Sequence, residues 1–320
     1  MVVVGAGVAG LACAWALQDA GVPVRVLERA ATPGGRLGGD LLDGRPADLG
    51  AAYFTVSDPG FAAVVARWRD EGLARPWTGP AFKVYGPRPP AAEKGSSAAG
   101  TGAPAAGTGE PERWAAAGGL ASLAADLAAG VNVTCGAAVK ELTVLDGTVV
   151  LAMPAPQAAA LLPAAAPLAE AQDWQPSLAV ALRYRRRCWK PLTGAFVNDH
   201  PVLTTVCDDG SRRGDGAPVL VAHTTPAFAM ESAAGDVEAA VRELLDLPEA
   251  AVAVATRRWP AARPTRPSGS EFAQVEGVYL AGDGFGRPRV EAAWLSGRAV
   301  AAAIVGNQNP KTPRTASRAR

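Results

Sequence analysis

The sequence predicts an α/β chain: a parallel sheet covered by helices, joined to a smaller domain built on an antiparallel sheet. Three observations carry this. A β-branched run, Val2-Val3-Val4, passes through Gly5-x-Gly7-x-x-Gly10 into a helix. Uniformly apolar, strand-length runs recur at 149–153 and 277–281, the pattern of strands buried on both faces. The stretch 174–259 instead alternates apolar and polar residues in short runs, the mark of an antiparallel sheet with one wet face.

With only Met1 before it, the first strand is expected to be short, and its helix to run to about residue 20, where Gly21 stops it. Pro23-Val24-Arg25-Val26-Leu27-Glu28 is the next strand, closing a βαβ unit with a right-handed crossover. Residues 2–17 lack charge, but no basic stretch precedes them and they fall short of the ~20 residues of a membrane span. Residues 86–112 are Pro, Gly, Ala and Ser with few large apolar side chains, and read as a mobile surface excursion. A glycine-opened helix is expected over 114–127 and strands over 131–134 and 149–153. Alternating strands follow at 178–184, 202–206, 219–224 and 252–256, with a helix near 237–245. A buried strand at 277–281, the turn Gly282-Asp283-Gly284 and a helix over 290–304 complete the pattern. The parallel-sheet domain thus takes 1–80, 113–157 and 275–306, the excursion 81–112, the antiparallel domain 158–274, and a disordered tail 307–320.

Composition narrows the chemistry. The 31 basic and 30 acidic residues leave a net charge of +1, without the basic excess of a nucleic-acid binder. Cys13, Cys135, Cys188 and Cys207 form no CxxC pair, which argues against a metal centre or disulfide scaffold and for a reducing, cytoplasmic setting. His200 and His223 are the only histidines, too few for a multi-imidazole mechanism.

The glycines divide by task. Gly5 permits a tight turn, Gly7 lets backbone approach a pyrophosphate, and Gly10 lets helix and strand pack closely, with Ala6, Val8 and Ala9 in the same loop. The helix N-terminus offers N–H groups to phosphate. Glu28, followed by Arg29, stands where a carboxylate accepts both ribose hydroxyls and repels a 2′-phosphate. Two further clusters, Gly34-Gly35-Arg36 and Gly282-Asp283-Gly284, exceed what a nicotinamide dinucleotide needs and suit one ending in a ribityl-flavin, FAD. Arg36 either pairs with the pyrophosphate or makes a surface salt bridge; Asp283 either accepts a ribityl hydroxyl or caps a helix.

These residues, with Asp48-Leu49-Gly50-Ala51-Ala52-Tyr53-Phe54-Thr55, Leu151-Ala152-Met153-Pro154-x-Pro156, Val219-Leu220-Val221-Ala222-His223-Thr224-Thr225 and Ala281-Gly282-Asp283-Gly284-Phe285, resemble the glutathione-reductase-type FAD superfamily, in its branch of amine oxidases and renalases, and renalases most. The resemblance implies a Rossmann-like domain with non-covalent FAD and oxidation of 2- or 6-dihydro-NAD(P), with hydride passing to flavin N5 and O₂ reduced to H₂O₂. It implies that Gly5, Gly7, Gly10, Glu28, Gly35, Arg36 and Asp283 hold FAD, with Leu49 and Val139 in the same set. Gly50-Ala51 and Glu291-Ala292-Ala293 would present backbone to the flavin ring. The chain departs from the pattern between residues 139 and 153, where only 142–147 stands in for a strand meander, a loss expected to expose one edge of the domain. None of Lys83, Lys94, Lys140, Lys190 and Lys311 matches the flavin-side lysine of amine oxidases.

His223 either orients substrate at the flavin or is a hydrogen-bonded structural histidine. Tyr53 and Phe54, with Thr55, either stack on the nicotinamide or pack in the core, and Trp294 is either a pocket wall or core. Arg183, Arg185, Arg186 and Arg187 form either a pyrophosphate site or a solvated strand end. The leading reading is a dihydronicotinamide oxidase using O₂, a monomer or homodimer. An amine oxidase or desaturase on the same fold and a non-catalytic flavin-binding sensor are the alternatives.

Overall fold

In the computed structural model, which describes residues 1–87, 111–231 and 234–308, Val2–Val4 is buried along its length. It pairs in parallel with Arg25–Glu28 on one side and Val149–Leu151 on the other. Three consecutive valines suit this position, because no solvent face exists to reward a polar side chain. The six-stranded sheet runs Ala273–Val275, Val278–Leu280, Val149–Leu151, Val2–Val4, Arg25–Glu28, Val133–Cys135, parallel except for the antiparallel pair at its Ala273–Val275 edge.

Helices Val8–Asp19, Leu120–Ala128 and Val290–Gln308 cover one face. The first and last pack closely because Gly297 carries no side chain: a Cβ there would lie 2.0 Å from the Ala9 carbonyl oxygen. On the other face, Ala155–Leu161 and Ala166–Gln172 lay Ala158, Leu161 and Leu168 on Val2, Val4 and Leu151. Residues 158–172, expected in the antiparallel domain, therefore belong to this packing, and the second sheet begins at Trp174. Where a meander would continue this cover, the chain makes only the single turn Leu142–Val144. An open, mostly apolar cleft of about 440 Å³ remains there among Leu27, Val139, Val144 and Leu145.

The second sheet runs Ala253–Pro264, Trp174–Arg183, Val219–Thr224, Leu203–Asp208, Gly194–Val197, Lys83–Tyr85. Its pairs are antiparallel except the last. Lys83–Tyr85, expected within the excursion, is thus an edge strand; residues 88–110 of that excursion lie outside the described residues. One face carries Leu178, Val180 and Leu182 against Ala229, Val237 and Val241 of the helices Pro226–Glu231 and Ala234–Leu245. The other carries Ala179, Ala181, Val219 and Val221 against Leu42, Ala47 and Leu49 of the first domain. The expected wet face is therefore dry at the sheet's centre, because the 40–49 segment covers it.

Two further expectations change. Trp114–Ala116 is a strand paired with Ala74–Pro76, and the helix starts only at Leu120. Gly119 separates them at φ +85, and a side chain there would strike Arg213 and Asp48. The final helix runs through Gln308, past the expected start of the tail, and 309–320 lie outside the described residues. Among the described residues, no helix is long and apolar enough to cross a membrane.

Candidate active site

The loop after the first strand fits the pyrophosphate end of a dinucleotide. Gly5 adopts φ +105, and a Cβ there would lie 2.5 Å from the Ala152 oxygen. A Cβ on Gly10 would lie 1.9 Å from the Gly5 oxygen, whereas one on Gly7 would meet nothing within 4 Å. The loop is thus closed behind and open in front, at a helix N-terminus that no side chain caps. Glu28 is buried, its Oε2 accepting from the Ala6 amide at 2.7 Å and its Oε1 from the Ala30 amide at 2.8 Å. Each oxygen keeps a lone pair for a ribose hydroxyl. Val8 and Ala9 are buried in the first helical turn, Arg29 is exposed, and Val139 lies in the apolar cleft beside Leu27.

The second and third clusters meet. Gly35 sits at φ +54, where a Cβ would lie 3.3 Å from the Gly7 Cα. Arg36 makes a two-pronged pair with Asp283, at 3.0 and 2.6 Å, donates to the Ala262 carbonyl at 2.9 Å, and lies over the Trp174 ring. Two residues read separately, 247 positions apart in the chain, form one unit. Open backbone at Gly7, a carboxylate at the end of the second strand and the Arg36–Asp283 pair fit the phosphate, ribose and ribityl parts of FAD.

The segment 48–52 is held mainly by side chains from the antiparallel domain. Arg212 donates to the carbonyls of Asp48 and Ala52 at 3.1 and 2.9 Å, Trp259 to Leu49 at 2.7 Å, and His223 Nε2 to Gly50 at 2.9 Å. Behind it lies a buried ion network in which Asp209 meets Arg212 and Arg45, and Asp48 meets Arg213. Burial would raise both carboxyls; for Asp209, Arg212 and Arg45 outweigh it and hold the pKa low, while for Asp48 burial prevails over Arg212 and Arg213. Sequence reading missed this network: Ser211-Arg212-Arg213-Gly214 looks like an exposed turn, and nothing local marks its burial.

Glu291 ties the last helix down. Its carboxylate accepts from the Ser57 and Asp58 amides, both at 2.6 Å, and from the Ser57 hydroxyl at 2.7 Å, and pairs with Arg289. Burial would raise this carboxyl, yet those donors hold it below its ordinary value. Ala292 follows in the first turn of the helix.

Tyr53, itself half-buried, packs on a buried aromatic wall of Trp77 and Phe82, with Phe196 beyond, that sequence reading also missed, its members being scattered along the chain. Burial raises the Tyr53 hydroxyl, against the influence of Arg113. Of the two readings open for Phe54 and Trp294, pocket or core, both residues take the core one. Phe54 is 2% exposed among Phe61, Trp68 and Trp114, and Trp294 packs on Phe61. Thr55 is half-buried. Arg183, Arg186 and Arg187 pair with Asp43, Glu249 and Asp208, which suits a strand end rather than a pyrophosphate site.

Residues 3–68 match an NAD(P)-binding Rossmann-like domain, and residues 79–305 match the flavin-containing amine oxidoreductase family. Over 69 residues the chain is 46% identical to the hydroxyneurosporene desaturase of Rubrivivax gelatinosus, a stretch that is 21% of this chain and only 13% of that protein. Three solved structures share the fold. A proposed protoporphyrinogen oxidase from Exiguobacterium sp. 255-15 has a TM-score of 0.72 at 15% identity, over 96% of this chain and 98% of that one. Putrescine oxidase bound to putrescine has 0.65 at 16%, over 95% and 98%. An oxidoreductase from Methanosarcina mazei has 0.61 at 14%, over 93% and 99%. Since the flavin family's model spans most of the chain, the protein belongs to the flavin-containing amine oxidoreductases and is an FAD-dependent oxidoreductase.

Proposed function

We propose that the protein oxidises a dihydronicotinamide isomer carrying its hydride at ring C2 or C6, with O₂ as the final acceptor. The position of Arg113 carries this reading. Its guanidinium lies 4.1 Å from the Phe82 ring centroid and 5.3 Å from that of Tyr53. An aromatic cage for an amine offers such ring faces to the substrate's own cation; here a side chain of the protein takes them. A neutral ring linked to anionic phosphates suits this wall better than an ammonium does.

FAD held by the Gly5–Gly10 loop, Glu28 and the Arg36–Asp283 pair would supply the hydride acceptor and, with O₂ and a proton, the route to H₂O₂. The chain supplies orientation: Arg113, held over Tyr53 and Phe82, offers a cation to the substrate's phosphates, and the buried rings behind it keep water away. No base is required, and His223, with both ring nitrogens engaged, is not placed to act as one. Amine oxidation or desaturation on the same fold is the second reading, favoured by the family match. A peroxidase-coupled assay across 2- and 6-dihydro-NAD(P), ordinary NADH and a panel of small amines and polyenes separates the two. Peroxide chiefly from the dihydro isomers is expected; turnover of amines or polyenes alone would replace the first reading with the second.

A further inference from the structure

His223 stands in a row of register partners that crosses the antiparallel sheet: Arg257, Ala179, His223, Thr205, Phe196 and Val84. Its ring chemistry is determined by its partners. The Gly50 carbonyl can only accept, so Nε2 carries the proton, and Nδ1 must accept from the Thr205 hydroxyl at 3.3 Å. Burial pushes the imidazole pKa down to about 4, against the opposing effect of the Gly50 hydrogen bond. This keeps the ring in the neutral form that both contacts require.

The consequence lies in the peptide it holds. The Gly50 C=O and the Ala51 N–H belong to one peptide unit, and the Ala51 amide donates to the Arg36 carbonyl at 2.9 Å on the opposite side. Gly50 packs closely on that same carbonyl, since a Cβ there would sit 2.0 Å from the Arg36 oxygen. The peptide is therefore pinned at both polar atoms, one pin from each domain. We propose that His223 is a positioning residue: it fixes the Gly50–Ala51 peptide plane and thereby the backbone surface on which the flavin ring seats. The inference rests on the expectation, implied by the family resemblance, that Gly50-Ala51 presents backbone to the flavin ring, and is independent of which substrate is oxidised.

Two variants of similar polarity separate positioning from packing. His223→Gln extends an amide far enough to donate to Gly50; His223→Asn is shorter, reaching the Thr205 side without reaching Gly50. FAD titration of the apoproteins, followed by flavin fluorescence and by visible circular dichroism of the bound flavin, reads the result. One lost hydrogen bond corresponds to a rise in Kd of about three- to tenfold. That rise, with an altered flavin dichroism, is expected for the Asn variant, and a return to within about twofold of wild type for the Gln variant. Equal Kd and dichroism in the two variants, whether both normal or both impaired, would overturn the positioning role. Wild-type apoprotein that takes up no FAD would instead overturn the flavin placement itself. A His223→Asn chain that fails to fold while His223→Gln folds and binds normally would show that the Gly50 contact holds the domains rather than the ring, and would also overturn it.

Discussion

The two sheets present different materials to the site. The parallel sheet offers backbone: at Gly5, Gly7 and Gly10 the missing side chains leave a turn closed behind and open toward the helix N-terminus. The antiparallel domain offers side chains: Arg212, Trp259 and His223 grip the carbonyls of the 48–52 segment, and Phe82 and Phe196 of its edge meet Tyr53, Trp77 and Arg113 of the first domain in an aromatic wall. A backbone surface recognises what every dinucleotide shares, a pyrophosphate and a ribose, while a side-chain surface can be changed to suit a substrate. It follows that the first region breaks when atoms are added and the second when they are taken away.

Gly10→Val is the severest test of the first half of that statement. Its Cβ would fall 1.9 Å from the Gly5 oxygen, so the strand–helix turn must open, and purified protein is expected to carry no flavin by absorbance. Arg212→Leu tests the second half. Removing the cation leaves Asp209 and Asp48 buried with fewer partners, at about 3–5 kcal/mol, read as a lower urea midpoint. Glu28→Ala should weaken FAD by about 3 kcal/mol or more, roughly a hundredfold in Kd, because two charge-assisted bonds to the ribose go. Unchanged flavin occupancy would show that the ribose lies elsewhere.

Much of the first region was legible because its chemistry is local. The turn glycines sit within six positions of one another, and Glu28 ends the very next strand. The second region was not, because its contacts join distant segments: Trp77, Phe82 and Phe196 become neighbours only once Lys83–Tyr85 pairs with Gly194–Val197. The same holds for Arg36 and Asp283, whose separate motifs gave no sign that they pair. Trp114-Ala115-Ala116 misleads in another way, since its apolar run suits helix and strand alike and pairing with Ala74–Pro76 decides the matter.

Smaller effects sharpen the contrast. Glu291 has a folded-state pKa below its ordinary 4.5, so its hold on Ser57 and Asp58 is fully present above that pH and is lost as pH falls through the folded value. Glu291→Gln should flatten that part of the acid limb when urea midpoints are compared across it. Arg113→Gln removes the cation held over Tyr53 and Phe82, and should lower kcat/KM for a dihydronicotinamide by about tenfold or more, one charge-assisted contact to its phosphates of about 1.5–3 kcal/mol, while FAD affinity stays as in wild type.

Anaerobic stopped-flow mixing of the holoprotein with 6-dihydro-NAD, with NADH and with putrescine decides whether the flavin site takes a dihydronicotinamide rather than an amine. Rapid bleaching of the flavin absorbance by 6-dihydro-NAD and slow or no bleaching by the other two is expected. Bleaching by putrescine faster than by 6-dihydro-NAD would contradict it.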